Sequence, residues 1–134
     1  MIDEEEIFKG VRECLLDILD KESMEIRKED RLINDLGIDS LDLIHLVFTL
    51  EQSFGIKISL REIDKRIKNK LVAVPLETDG TYTPEAIAEL RKSMPEIPHE
   101  ELKDGLTTSQ LPRCFRVATM INLVRKFKNE QQNG

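Results

Sequence analysis

The chain has 134 residues, 40% hydrophobic and 34% charged, a composition that fits one soluble globular domain and excludes a disordered segment. Trp is absent and aromatics make up only 4%, which argues against a large β-sandwich core. The net charge of −6 is uneven: residues 1–55 hold 15 acids and 6 bases (−9), residues 56–134 hold 11 acids and 14 bases (+3). The acidic front repels phosphate backbones, and the rear is only weakly basic and poor in stacking aromatics. Nucleic-acid binding is therefore discounted.

The opening "MIDEEEIFKG" is acidic, lacks an apolar segment and does not read as a signal peptide. No apolar run approaches ~18 residues, so no membrane span is expected. Residues 3–20 predict an amphipathic helix with Ile7, Phe8, Val11, Leu15, Ile18 and Leu19 on one face. Acids crowd its first turn, where the helix dipole favours them, and Gly10 weakens its middle. Residues 21–39 form a connection that Leu32, Ile33, Leu36 and Ile38 can anchor, with Gly37 suited to a positive-φ turn. A connection this long in a small helical domain is uncommon unless it is functional.

A second helix is expected from about Ser40 to Ser53, stopping before Gly55, and "GIKIS" follows as a short extended bridge. Residues 60–71 predict a helix with Leu60, Ile63, Ile67 and Leu71 on one face. "LVAVPLETDGTYTPEA" reads equally as a short hairpin or an irregular loop. Thr83 and Pro84 start a short helix that Pro95 ends, and residues 93–113 are so broken by proline and glycine that only single-turn helices fit. Residues 117–129 predict a last helix, with Val117, Met120, Ile121, Val124 and Phe127 on its apolar face and bases at its C-terminal end. Cys14 and Cys114 lie in apolar helical patterns and read as small buried hydrophobes of a reducing compartment. No CxxC or Cys/His spacing suggests a metal site.

The second helix carries the most information. Asp39 is a good N-cap, and Asp42 three residues on resembles a capping box. Ser40 then falls at the first helical position, and its hydroxyl is not needed for the cap. Helix rules alone leave it an ordinary solvated serine. At about 100° per residue, Leu43, Leu46, Val47, Leu50 and Phe54 form a core-facing arc, and Asp42, His45, Thr49, Gln52 and Ser53 a polar one. Leu41, Ile44 and Phe48 add a further apolar strip, wider than one edge helix needs for its core. A serine beside that strip, at the positive end of a helix, is well placed to bear a phosphate ester.

"DLGIDSLDLIHLVFTLEQSFGIKI" resembles the acyl carrier protein signature, in which the serine of an Asp-Ser-Leu bears a phosphopantetheine arm. The likeness covers residues 1–58 and returns at about 115–129. It implies an all-α, four-helix carrier fold, here with an enlarged helix II to helix IV segment of extra short helices and possibly a hairpin. The whole chain would be a single carrier domain in which residues 59–112 replace a much shorter loop and helix. By the resemblance, Ser40 is the attachment site, and an acyl group rides as a thioester on the thiol of its arm. Asp39, Asp42 and Glu51 match the family's acidic partner contacts, Leu41, Ile44 and Phe48 its apolar ones, and the core arc lines an acyl cavity.

The implied partners are a phosphopantetheinyl transferase and acyl-loading and acyl-accepting enzymes of fatty acid or specialised lipid synthesis. A cytoplasmic monomer is expected. His45, Gln52 and Ser53 stand where carriers of fatty acid synthesis often have acids, which points to a specialised carrier. The insert's apolar residues, Ile63, Ile67, Leu71, Ile87 and Leu90, either extend the acyl cavity or close a subcore of their own. Nothing suggests an enzyme: His45 and His99 are the only histidines, and no nucleophile–base pair or phosphate-binding glycine loop is present. The alternatives are a helical adaptor without a prosthetic group and a carrier of amino or aryl acids.

Overall fold

A computed structural model describes residues 3–133. It contains α1 (Glu4–Ile18), α2 (Ser40–Phe54), α3 (Leu60–Lys70), a hairpin of β1 (Glu77–Thr78) and β2 (Thr81–Tyr82), α4 (Pro84–Ser93), a single 3-10 turn (Leu111–Cys114) and α5 (Val117–Asn133). The expected all-α class, with an enlarged stretch between the second and last long helices, is what forms. Two compact units divide the chain: the described parts of Met1–Ile58 and Arg116–Gly134, and Ser59–Phe115. No described helix is long and apolar enough to cross a membrane.

In the first unit, α1 packs against α2 and α5, and α2 against α5. The Asp3 carboxylate caps α1 by accepting the Glu5 amide. Ile7, Val11, Cys14 and Leu15 are buried, while Phe8, Ile18 and Leu19 are only half-buried. The Phe8 ring lies 5.3 Å from both the Arg12 guanidinium and the Lys28 ammonium, a cation–π pairing that suits a partly wet position. Gly10 has a use the sequence did not reveal: a Cβ there would stand 2.5 Å from Cζ of Phe54. The helix gives up propensity at this point to let an aromatic ring from α2 approach its backbone.

The long connection is held at both levels. Ile26, Leu32 and Ile38 are buried, and Ile33 and Leu36 half-buried. Its backbone also serves α5: the carbonyls of Asp30 and Lys28 accept the amides of Val117 and Ala118 at 3.0 and 2.8 Å. These are amides that a helix start leaves without internal partners. α5 buries Val117, Met120, Ile121, Leu123 and Val124. It runs to Asn133, past the expected end, so Arg125, Lys126 and Lys128 lie within it and not in its last turn. Lys128 instead donates to the Phe54 carbonyl at 2.8 Å, placing a cation at the negative end of α2.

Of the two readings of the insert, the second unit supports a subcore. α3 packs on α4, and Ile63, Ile67, Ala86, Ile87, Leu90, Met94, Ile97, Leu102 and Leu111 are buried in this unit; Leu71 is half-buried. The hairpin exists because Asp79 and Gly80 both take positive φ (53° and 80°), as a two-residue turn matched to strand twist requires. The Tyr82 ring is buried, and its hydroxyl donates to the Asp64 carboxylate at 2.7 Å; burial and that carboxylate push the phenol pKa up. Thr83 caps α4 through the Ala86 amide, with Pro84 at the first position as expected. The proline-broken stretch is tied down by Arg91, which donates to the carbonyls of Leu102 (2.7 Å) and His99 (3.2 Å).

Candidate functional site

The start of α2 is built by the turn before it. The amides of Leu36, Gly37 and Ile38 bond back to the carbonyls of Arg31, Ile33 and Leu32 at 3.1–3.2 Å, and Gly37 takes φ +78° to close that turn. Ile38 is thereby buried and Asp39 delivered to the helix start. The capping box is complete. Asp39 Oδ1 accepts the Asp42 amide at 2.8 Å, and Asp42 Oδ2 accepts the Asp39 amide at 3.1 Å.

With the cap supplied by its neighbours, Ser40 is left over. It is the first residue of α2 and is exposed. Among the described residues its hydroxyl has no hydrogen-bond partner, nor do the amides of Ser40 and Leu41. Two unspent amides, the positive end of a 15-residue helix and a free hydroxyl together fit a phosphodiester on Ser40 Oγ.

The helical wheel holds along α2. Leu43, Leu46, Val47 and Leu50 are buried, and Phe54 is half-buried against Gly10. The second strip is open: Leu41 is 75%, Ile44 61% and Phe48 58% exposed. His45, Gln52 and Ser53 are exposed beside it.

The acids behave differently from the strip. Asp42 is half-buried and committed to the cap. Glu51 is also half-buried, and its carboxylate accepts the Ile58 amide at 2.7 Å. That bond pins the segment after Gly55 (φ +64°), where Ile56 and Ile58 turn into the core. Sequence reasoning saw Glu51 only as an outward contact, because its partner comes from a chain reversal that no local pattern announces.

An open cleft of about 480 Å³ lies between α1 and α2, lined in part by Gly10, Cys14, Thr49, Ser53 and Phe54. Cys14 Sγ is 3.7 Å from Ser53 Oγ, and burial pushes its thiol pKa up, away from the thiolate a nucleophile needs. Both cysteines are buried, and neither is in a disulfide.

Comparison with known proteins agrees with this geometry. A family model described as the phosphopantetheine attachment site matches residues 9–69, a stretch that contains Ser40. The acyl carrier protein of Thermotoga maritima is 38% identical over 65 residues, covering 48% of this chain and 80% of that protein. That of Campylobacter hominis is 38% identical over 72 residues (54% and 91%), and that of Coprothermobacter proteolyticus 35% over 82 residues (61% and 99%). No solved structure matches. The chain belongs to the acyl carrier protein family, whose members carry acyl groups on phosphopantetheine.

Proposed function

We propose that Ser40 is the residue that bears the phosphopantetheine arm, and that the chain is a specialised acyl carrier. The observation that carries this is the spare hydroxyl: Asp39 and Asp42 complete the cap without Ser40, which stands exposed at the helix N-terminus. When attached, the group supplies a terminal thiol that holds the acyl chain as a thioester. The protein's own part is to hold the ester in the field of α2 and to present the surface that partners recognise. The family is one of carriers, not catalysts, and its members meet a phosphopantetheinyl transferase and acyl-handling enzymes.

Leu41, Ile44 and Phe48 are the contacts that such partners would bury, with Asp39, Asp42 and Glu51 at their margin. The relatives match only 48–61% of this chain while matching 80–99% of their own length. That supports reading residues 59–112 as an expansion within one carrier domain. A cytoplasmic monomer, serving enzymes other than a general fatty acid synthase, completes the proposal.

The test is to incubate the chain with a phosphopantetheinyl transferase and coenzyme A and to measure its intact mass. A gain of one phosphopantetheine, absent in Ser40→Ala, is expected. No gain with several broad-specificity transferases would overturn the assignment and favour an adaptor without a prosthetic group.

A further inference from the structure

The outward side of α3 is mostly cationic. Its exposed residues are Arg61, Lys65, Lys68, Asn69 and Lys70. Its two acids are half-buried and engaged: Glu62 pairs with Lys65 (3.8 Å) and Arg66 (3.7 Å), and Asp64 accepts the Tyr82 hydroxyl. Arg61, Lys65 and Lys68, at spacings of four and three, fall within an arc of about 60° opposite Ile63 and Ile67, which face the subcore. The side chains of Arg61 and Lys68 make no hydrogen bond or ion pair among the described residues.

Helix stability does not explain the whole of this set. Cations in the last turn of α3 suit its dipole, but Arg61 lies in the first turn, the end where a cation is unfavourable. The same pole of the unit gathers more of this chemistry. Lys70 Nζ is 3.3 Å from Ser93 Oγ, so the C-terminal ends of α3 and α4 meet, and Lys92, paired with Glu89 at 3.4 Å, is exposed one residue from that contact. Two residues beyond α3, Val72 is 86% exposed, more than Leu41, Ile44 or Phe48. It precedes Ala73, which is exposed and held at φ +62°.

A row of cations ending near a protruding aliphatic residue matches the chemistry of an anionic lipid surface. The cations meet headgroup phosphates and the aliphatic residue enters the interface. We infer that the α3 face carrying Arg61, Lys65 and Lys68, with Val72 beyond the helix end, docks this carrier reversibly on anionic membrane. An acidic protein face would satisfy the cations but gives no reason for Val72. The chain's net −6 does not forbid the contact, since charges more than a Debye length of about 10 Å away are largely screened at 0.1 M salt. Each cation near such a surface is worth about a fivefold change in partitioning. This docking goes beyond the carrier assignment and does not need Ser40 to be modified.

The experiment is co-sedimentation of the full chain with vesicles of phosphatidylcholine alone and of phosphatidylcholine with about one third phosphatidylglycerol, across a salt series. Binding is expected only to the anionic vesicles, fading as salt rises. Arg61→Gln/Lys65→Gln/Lys68→Gln, with helicity checked by circular dichroism, should weaken it roughly 100-fold, and Val72→Ser by less. Ser40→Ala should bind as the unaltered chain does, which keeps this outcome separate from that of the carrier test. Absence of binding to anionic vesicles at low salt, or binding equal on neutral ones, would overturn the inference and leave an acidic protein as the partner of this face.

Discussion

Helices α2 and α3 each contain two acids, and in both helices the acids work inside the fold. Asp42 completes a cap and Glu51 holds the Ile58 amide; Glu62 pairs along its own helix and Asp64 takes the Tyr82 hydroxyl. What is left outward differs. α2 shows Leu41, Ile44 and Phe48 with His45, whereas α3 shows Arg61, Lys65, Lys68 and Lys70. Acid content does not separate the two helices; what each leaves exposed does, apolar on α2 and basic on α3. Association through α2, as proposed, would rest on burying apolar area and is expected to respond little to salt. Association through α3 rests on charge and is expected to fade with it.

The largest effect that sharpens this contrast lies within α2 itself. Leu50→Ala should cost about 2–5 kcal/mol of stability in urea denaturation, because Leu50 is fully buried. Phe48→Ala should change stability by no more than about 0.5 kcal/mol. It should instead slow acylation by a partner enzyme, seen as a rise in KM. If both variants unfold the protein, the strip is structural and the contrast fails.

Glu51→Ala should come next, at about 1–2 kcal/mol, for loss of a charged acceptor at a part-buried amide. A residue that served only as a partner contact would leave the denaturation midpoint unchanged. Asp39→Ala should cost about 1 kcal/mol through the cap, again by urea denaturation.

The smallest effect concerns pH. The Lys28 ammonium hydrogen-bonded to Glu4, joined by Arg125, holds that carboxyl below its ordinary range; the Arg31 amide and side chain do the same for Asp35. Carboxyls lowered in the folded state add stability that is fully present above their ordinary pKa. That stability is lost as pH falls through the lowered values. The melting temperature should therefore fall a little between about pH 5 and pH 3, and Glu4→Gln should flatten part of that fall. No change in slope for Glu4→Gln would remove this pair from the ledger of α1.

Much of α2 was legible in its sequence because its signals are local. The cap lies within four residues, the αL stop at Gly55 follows the last apolar position, and the division of Leu43, Leu46, Val47 and Leu50 from Leu41, Ile44 and Phe48 follows from helical period alone. The hairpin stayed ambiguous beside Pro75 until Asp79 and Gly80 were seen at positive φ.

What could not be read depends on contacts distant in the chain. Gly10 looked like a weak point in a helix, but it makes room for Phe54, 44 positions away. Lys128 looked like a cation for its own helix end, but it serves the end of α2. Periodicity shows that Ile63, Ile67, Ile87 and Leu90 must be buried. It does not show against what, and so their subcore was one of two open readings.

The most direct measurement is site mapping on the protein purified from its own cells. The chain would be digested, and the peptide holding "GIDSLD" fragmented to locate any added phosphopantetheine. The carrier assignment predicts the group on Ser40 and on no other serine. A fully unmodified Ser40, or the group on Ser53 or Ser59 instead, would contradict it.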